Sequence, residues 1–266
     1  MIYDAGFLGL FFPFELYFTN QGYLYSWAGD DFTEHSLNSV SLVSNDVGGD
    51  CIMCNTPGTV YYRTTDKVFS PGRFGNYSHF TAAVGGVRLV ESSYMIIQRD
   101  NIQVRIANAS IGAPYTWIKS RDSEMYLFTQ GQVRLLIPSL GFGNLFSISE
   151  SPGRLQKHSN NYYYSSGAHL KKIDGSIIIS STSFITDWYL GDTTLLLTLD
   201  GLYYYDVSYN LIGYILLQNL TESSYFSISR EYIAISASGV IYIVKNMALA
   251  YEINTNHSSI AIISNE

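Results

Sequence analysis

Thr194-Leu-Leu-Leu-Thr-Leu199, then Asp200-Gly201, then Leu202-Tyr-Tyr-Tyr-Asp-Val207, sets two β-rich runs on either side of an Asp-Gly dipeptide. Asp-Gly in that position predicts a two-residue type I′ hairpin, because the turn needs positive φ at both central residues. The run 184–190 precedes the hairpin, and 212–218 follows it beyond Asn210. The stretch therefore predicts four strands within about 35 residues.

The same unit recurs on both sides. Tyr232-Ile-Ala-Ile-Ser236 turns at Gly239 into Val240-Ile-Tyr-Ile-Val244. Met125-Tyr-Leu-Phe-Thr129 turns at Gly131, and Tyr162-Tyr-Tyr-Ser165 at Gly167. Tyr94-Met-Ile-Ile97 turns at Asp100-Asn101, Cys51-Ile-Met-Cys54 at Gly58, and Leu16-Tyr-Phe-Thr19 at Gly22. The seven turns recur with a mean spacing of about 36 residues, slightly shorter than a WD40 blade. The longest interval, from Gly58 to Asn101, has room for extra strands.

A four-stranded unit repeated seven times predicts an all-β, seven-bladed β-propeller, because each small sheet has two apolar faces that only neighbouring blades can cover. Residues 1–266 are expected to form a single domain, with the ring closed by segments 1–14 and 258–266, where Ile260-Ala-Ile-Ile263 is a strand left over after the seventh unit. The competing reading is a β-sandwich or jelly roll, which also repeats hairpins. The pattern resembles a divergent propeller without the marks of a named family. Asp187-Trp188 is a reversed WD dipeptide, and the Gly48-Gly49 and Gly85-Gly86 doublets do not recur in every unit.

Composition narrows function by exclusion. Charged residues make up 14% of the chain and the formal net charge is −7. Lys171-Lys172 is the sole basic doublet, so nothing supplies the Lys/Arg stripe that nucleic-acid binding requires. No run reaches the 18 apolar residues of a membrane span, and the N-terminus lacks the basic region of a signal peptide. Few ionisable groups also predict acid stability, since acid denaturation acts through groups that must change charge. The Tyr-, Ser- and Asn-rich, charge-poor make-up resembles that of virion surface proteins, particularly of viruses from hot acidic habitats.

Candidate chemistry is sparse. Cys51 and Cys54 have the spacing of half a zinc site without a second pair, and they read as strand thiols of unassigned redox state. Asp30-Asp31 with Glu34-His35 is the densest acidic cluster, without the regular spacing of a calcium loop. Asp4, Asp50, Asp122, Asp187 and Asp192 read as loop carboxylates; a pair across a central channel would suit glycoside cleavage. The 23 tyrosines read first as inter-blade packing and second as a recognition face. Tyr23, Tyr25, Trp27, Asp30 and Asp31 are the candidate binding surface. Sequons at Asn76, Asn108, Asn219 and Asn256 permit glycosylation.

The sequence thus leads to an expectation of a non-enzymatic structural and recognition module: an exposed virion component without catalytic, metal or cofactor site. Its partners would be other virion proteins or a host-surface glycan. A cytoplasmic interaction scaffold and a carbohydrate-active propeller enzyme are the alternatives.

Overall fold

Each sequence unit forms a sheet of its own. The structure is a computed structural model that describes residues 13–29, 31–37, 39–40, 42–44, 52–56, 59–63, 69–71, 79–83, 86–90, 94–99, 102–107, 115–118, 124, 126–137, 141–150 and 152–264. Its strands form seven separate four-stranded antiparallel sheets, the blades of a β-propeller, and not the two facing sheets of a sandwich or jelly roll.

Blade 1 holds β1 (Phe14–Asn20), β2 (Tyr23–Ala28) and β3 (Asp31–Glu34). Blade 2 runs through β4 (Leu42–Ser44), β5 (Ile52–Thr56), β6 (Thr59–Arg63) and β7 (Phe69–Pro71), and blade 3 through β8 (His79–Ala83), β9 (Gly86–Val90), β10 (Tyr94–Arg99) and β11 (Ile102–Ala107). Blade 4 contains β12 (Thr116–Ile118), β13 (Tyr126–Thr129), β14 (Gln132–Ile137) and β15 (Gly141–Ser147). In blade 5 these are β16 (Leu155–His158), β17 (Asn161–Ser166), β18 (His169–Lys172) and β19 (Ile177–Ser180). Blade 6 comprises β20 (Ile185–Tyr189), β21 (Thr194–Thr198), β22 (Gly201–Tyr205) and β23 (Leu211–Leu216). Blade 7 comprises β24 (Tyr225–Ser229), β25 (Tyr232–Ala237), β26 (Val240–Lys245) and β27 (Ala248–Asn254).

The last strand, β28 (Ser259–Ser264), returns to blade 1 and pairs with β1 from Phe14↔Ser264 to Thr19↔Ser259. It takes the inner position of that sheet, against β24 on one side and β4 on the other. Of the two terminal segments expected to close the ring, residues 1–12 and 265–266 lie outside the described residues.

Two expectations about turns need correction. Asp100-Asn101 lies outside the described residues, and its place in the chain is between β10 and β11, the third and fourth strands of the blade, whereas the other turn positions fall between second and third. The matching connection is 91–93, between β9 and β10. The long interval spans five strands, β6 to β10, where the others span four, so counting from 91–93 makes the spacing more even. Nor is Asp200-Gly201 a type I′ turn. Leu199 and Asp200 make the bend, and Gly201 opens β22 without positive φ. Gly201 is needed for a different reason: a Cβ there would run into the Ile215 carbonyl of β23. The type I′ geometry does occur at Gln21-Gly22, with φ of 47° and 84°, between Asn20 and Tyr23.

The core lies between blades. Tyr203 and Tyr205 pack toward Tyr163 and Trp188 of blades 5 and 6, while Tyr204 joins Phe226 and Val244 between blades 6 and 7. Successive tyrosines therefore serve opposite faces, as the strand period of two requires. At the closing seam Phe14, Leu16 and Phe18 of β1 pack with Ile260 and Ile262 of β28 against Tyr232, Ile241 and Ile243 of blade 7.

Closure should therefore dominate stability. Ile262→Ala is expected to cost about 2–5 kcal/mol, the usual penalty for emptying a core site. Leu216→Ala, at a position 67% exposed, should stay within about 0.5 kcal/mol. Urea denaturation followed by tyrosine and tryptophan fluorescence checks the contrast; equal losses would show that the seam is not limiting.

Candidate functional site

Inner strands carry a polar seam that the hydrophobic pattern hides. Around part of the ring, a side-chain acceptor on one inner strand takes a backbone N–H of the next blade. Gln156 on β16 pairs with both backbone groups of Leu190: its Oε1 accepts the Leu190 N–H at 3.0 Å and its Nε2 donates to the Leu190 carbonyl at 2.8 Å. Asp187 on β20 accepts the Phe226 N–H of β24 at 3.0 Å. Ser227 on β24 accepts the Ile262 N–H of β28 at 3.1 Å, and the Tyr225 hydroxyl accepts the Ile260 N–H at 2.7 Å. Ser259 on β28 accepts the Val43 N–H of β4 at 2.8 Å.

Asp187 is the charged member. Its carboxylate is buried, 2.5 Å from Arg154 Nε, and accepts the Trp188 N–H at 2.8 Å as well as the Phe226 N–H. It belongs to strand β20 and not to a loop, and both its oxygens are engaged in joining blades 5, 6 and 7. Such an arrangement holds structure and leaves no free carboxylate for general acid–base chemistry. Of the other carboxylates considered, Asp192 is exposed, while Asp4, Asp50 and Asp122 lie outside the described residues.

The candidate binding surface divides. Tyr23 is exposed at the start of β2. Tyr25 is half-buried, stacks on Phe18 at 5.5 Å and donates its hydroxyl proton to Glu34 at 3.0 Å. Trp27 is not on the surface: it is 6% exposed, in the closing core, edge-on to Tyr251. Asp31 is exposed on β3, and Asp30 lies outside the described residues. His35 bonds Ser26 at 2.9 Å, and among the described residues no three of His, Cys, Asp and Glu converge on a metal-sized site. Cys54 falls on β5 opposite Tyr61, and Cys51 lies outside. Asn219 and Asn256 are exposed; Asn76 and Asn108 lie outside.

A different surface stands out. β23, the last strand of its sheet, reads Leu-Ile-Gly-Tyr-Ile-Leu without a charge, and Leu211, Ile212, Tyr214 and Leu216 are all exposed. Tyr214 stacks on Tyr203 at 5.8 Å, which presents its ring as a fixed plate. Across the gap to blade 7, Met247 packs its sulfur on Gly213, and Leu249 and Tyr251 of β27 are exposed beyond it. Edge strands in soluble proteins usually carry a charge, a proline or a covering element. This one has no such charge or proline. The sequence signal was present in the unbroken apolar run after Asn210, but only position at the rim gives it meaning.

His257, in the loop from β27 to β28, locks the seam. Its Nδ1 donates to the Thr255 carbonyl at 3.1 Å, so Nε2 is free to accept the Ser236 hydroxyl proton at 2.8 Å. Burial pushes its pKa down.

Neither protein-family models nor curated proteins match this chain. Solved structures do. Hsv2 of Kluyveromyces lactis, with its loop 6CD replaced by a Gly-Ser linker, is 9% identical with a TM-score of 0.53, covering 78% of each chain. Native Hsv2p of that yeast is 12% identical with a TM-score of 0.51, over 77% of this chain and 74% of that one. PorZ, a surface component of the type-IX secretion system of Porphyromonas gingivalis, is 10% identical with a TM-score of 0.58, over 85% of this chain and 34% of PorZ. At such identities the likeness establishes the fold, a divergent seven-bladed β-propeller, and nothing finer.

Two outcomes follow from the seam. Asp187→Asn leaves the buried Arg154 guanidinium without this counter-ion and should cost about 3–5 kcal/mol in urea unfolding; a loss under 1 kcal/mol would show that the carboxylate is not structural. For His257 the folded pKa lies below the unfolded value of about 6.5. Its contribution is complete above that pH and is lost as pH falls toward the folded value. Burial-independent hydrogen bonds likewise depress Asp174, Asp206 and Glu150, whose contributions fade at lower pH still. The acid stability expected from low charge finds no support in these groups. Stability should fall between pH 7 and 5, and His257→Gln should flatten that slope; an unchanged slope in the variant would rule out His257 as its source.

Proposed function

We propose that this chain is a non-enzymatic structural and recognition module that holds protein partners on the outer rim of blades 6 and 7. The uncharged edge strand Leu211–Leu216, flanked by Met247, Leu249 and Tyr251, carries the reading. Exposed apolar surface of this kind marks interaction sites, and aromatic residues and methionine are enriched in them. The strand edge offers backbone groups and the exposed side chains offer contact area, the two elements of recognition by strand addition.

The partners we assign are other subunits of an assembly, and the setting is an exposed virion component such as a capsid, spike or tail protein. The charge-poor, tyrosine-rich composition supports that setting, as does a rim suited to packing against neighbours. Among the described residues no helix is long and apolar enough to cross a membrane.

Cross-linking mass spectrometry on the native assembly tests the reading. Residues 211–216 and 247–251 are expected to link to another subunit. The double variant Tyr214→Lys/Leu216→Lys should lower partner recovery at least tenfold while its melting temperature stays within about 3 °C of the parent, as for exposed sites. Links confined to other blades, or undiminished recovery, would overturn it.

A further inference from the structure

Beside His257 the closing seam opens into a cleft of about 390 Å³, within the range of small-molecule sites. Three separate segments build it: Thr221, Ser223 and Ser224 before β24 with Tyr225 at its start, Ser236 to Gly239 from β25 into the turn to β26, and Asn256–Ser258 ahead of β28. Its lining is unusual in chemistry. Hydroxyls, one amide and one imidazole dominate, and no Asp, Glu, Lys or Arg takes part.

The walls are fixed before any ligand arrives. Ser238 N–H donates to the Asn219 carbonyl at 2.8 Å, Thr255 N–H to the Gly239 carbonyl at 3.0 Å, and Ser258 N–H to the Thr19 carbonyl at 2.8 Å. His257, Ser236 and Ser224 are committed to internal hydrogen bonds. Among the described residues, the side chains of Ser238, Asn256 and Ser258 hold no internal partner, and all three are exposed at the cleft. Asn256 alone supplies two donors and an acceptor, and each serine supplies a donor and an acceptor.

We propose that this cleft binds a neutral saccharide unit, with Ser238, Asn256 and Ser258 as its hydrogen-bonding contacts. A rigid site with paired donors and acceptors matches adjacent ring hydroxyls, each of which is both donor and acceptor. A phosphate or carboxylate would find no counter-charge here, whereas sites for such groups use Arg, Lys or a helix terminus. Hydroxyl-rich ligands also suit a lining whose carbon surface is confined mainly to Tyr225 and Ala237. Asn256 opens the sequon Asn256-His257-Ser258, so a glycan attached to Asn256 itself would obstruct the cleft; attachment and ligand binding at this point exclude each other.

Saturation-transfer NMR on unglycosylated protein tests this. The probes are the methyl glycosides of glucose, galactose, mannose and N-acetylglucosamine, with glucose 6-phosphate as the anionic control. Saturation transfer to at least one neutral glycoside is expected, and none to the phosphate. Asn256→Asp, which adds a negative charge at nearly constant shape, should weaken the signal at least fivefold, and Ser238→Ala at least twofold, both with melting temperatures close to the parent. No transfer to any neutral glycoside, or transfer unchanged in both variants, would overturn the proposal. The rim variant Tyr214→Lys/Leu216→Lys should bind the glycosides as the parent does, so rim and cleft fail separately.

Discussion

The inner strands of a propeller face each other across blades at a distance too great for a continuous sheet, so their backbone N–H groups need partners from outside their own blade. An unpaired backbone donor held from water costs as much as a lost hydrogen bond or more. Here the answer is a relay in which Gln156, Asp187, Ser227 and Ser259 each take a backbone N–H of the following blade. Asp187 adds charge to the relay and requires Arg154 in return. The relay fixes the relative height of neighbouring blades, which the apolar contacts between them leave open, because hydrophobic attraction has no direction.

Closure depends on the same relay. β28 pairs with β1 through its own backbone, but its seating between β24 and β4 is set by Tyr225, Ser227 and Ser259. Ser259 also receives help from Thr19, whose Oγ1 accepts the Ser259 N–H at 3.1 Å. With that strand placed, the isoleucines at 260 and 262 complete a core that also contains Phe14 and Trp27. Burial of Trp27 follows directly: the residue sits on a strand face that only becomes interior when the ring shuts, and a reading of β2 alone places it outside.

Much of this was legible in the residues. Gln21-Gly22 and Gln130-Gly131 turn as the sequence indicates because their flanking runs leave two residues and positive φ is available. Tyrosine triplets divide between faces because the strand period is fixed. Blade 3 misled because its second and third hairpins both have short connections, of three and two residues, so periodicity could not tell which one matched the others. Asp200-Gly201 misled because glycine has two uses: positive φ and close approach of a neighbouring backbone, and only the second applies there. The relay was invisible for a stronger reason. Its members are ordinary polar residues in strands, separated from their partners by 34 to 39 positions between Gln156 and Leu190 and between Asp187 and Phe226, and they acquire a role only when inner strands meet.

The division of labour between inside and rim bears on function. Inner strands spend their polar side chains on one another, which leaves Asp187 without a free oxygen and makes the ring a rigid support. Outer strands have no such duty, since nothing follows them in their sheets. Their composition is therefore free to answer to partners, and β23 departs from a solvated edge. An uncharged strand at a propeller rim invites pairing with whatever chain it meets, which is a hazard for a free protein and an asset for one held among fixed neighbours. The low charge of the whole chain has the same character: it weakens repulsion between any surfaces that meet, a cost to solubility in isolation that contact with a neighbour would offset.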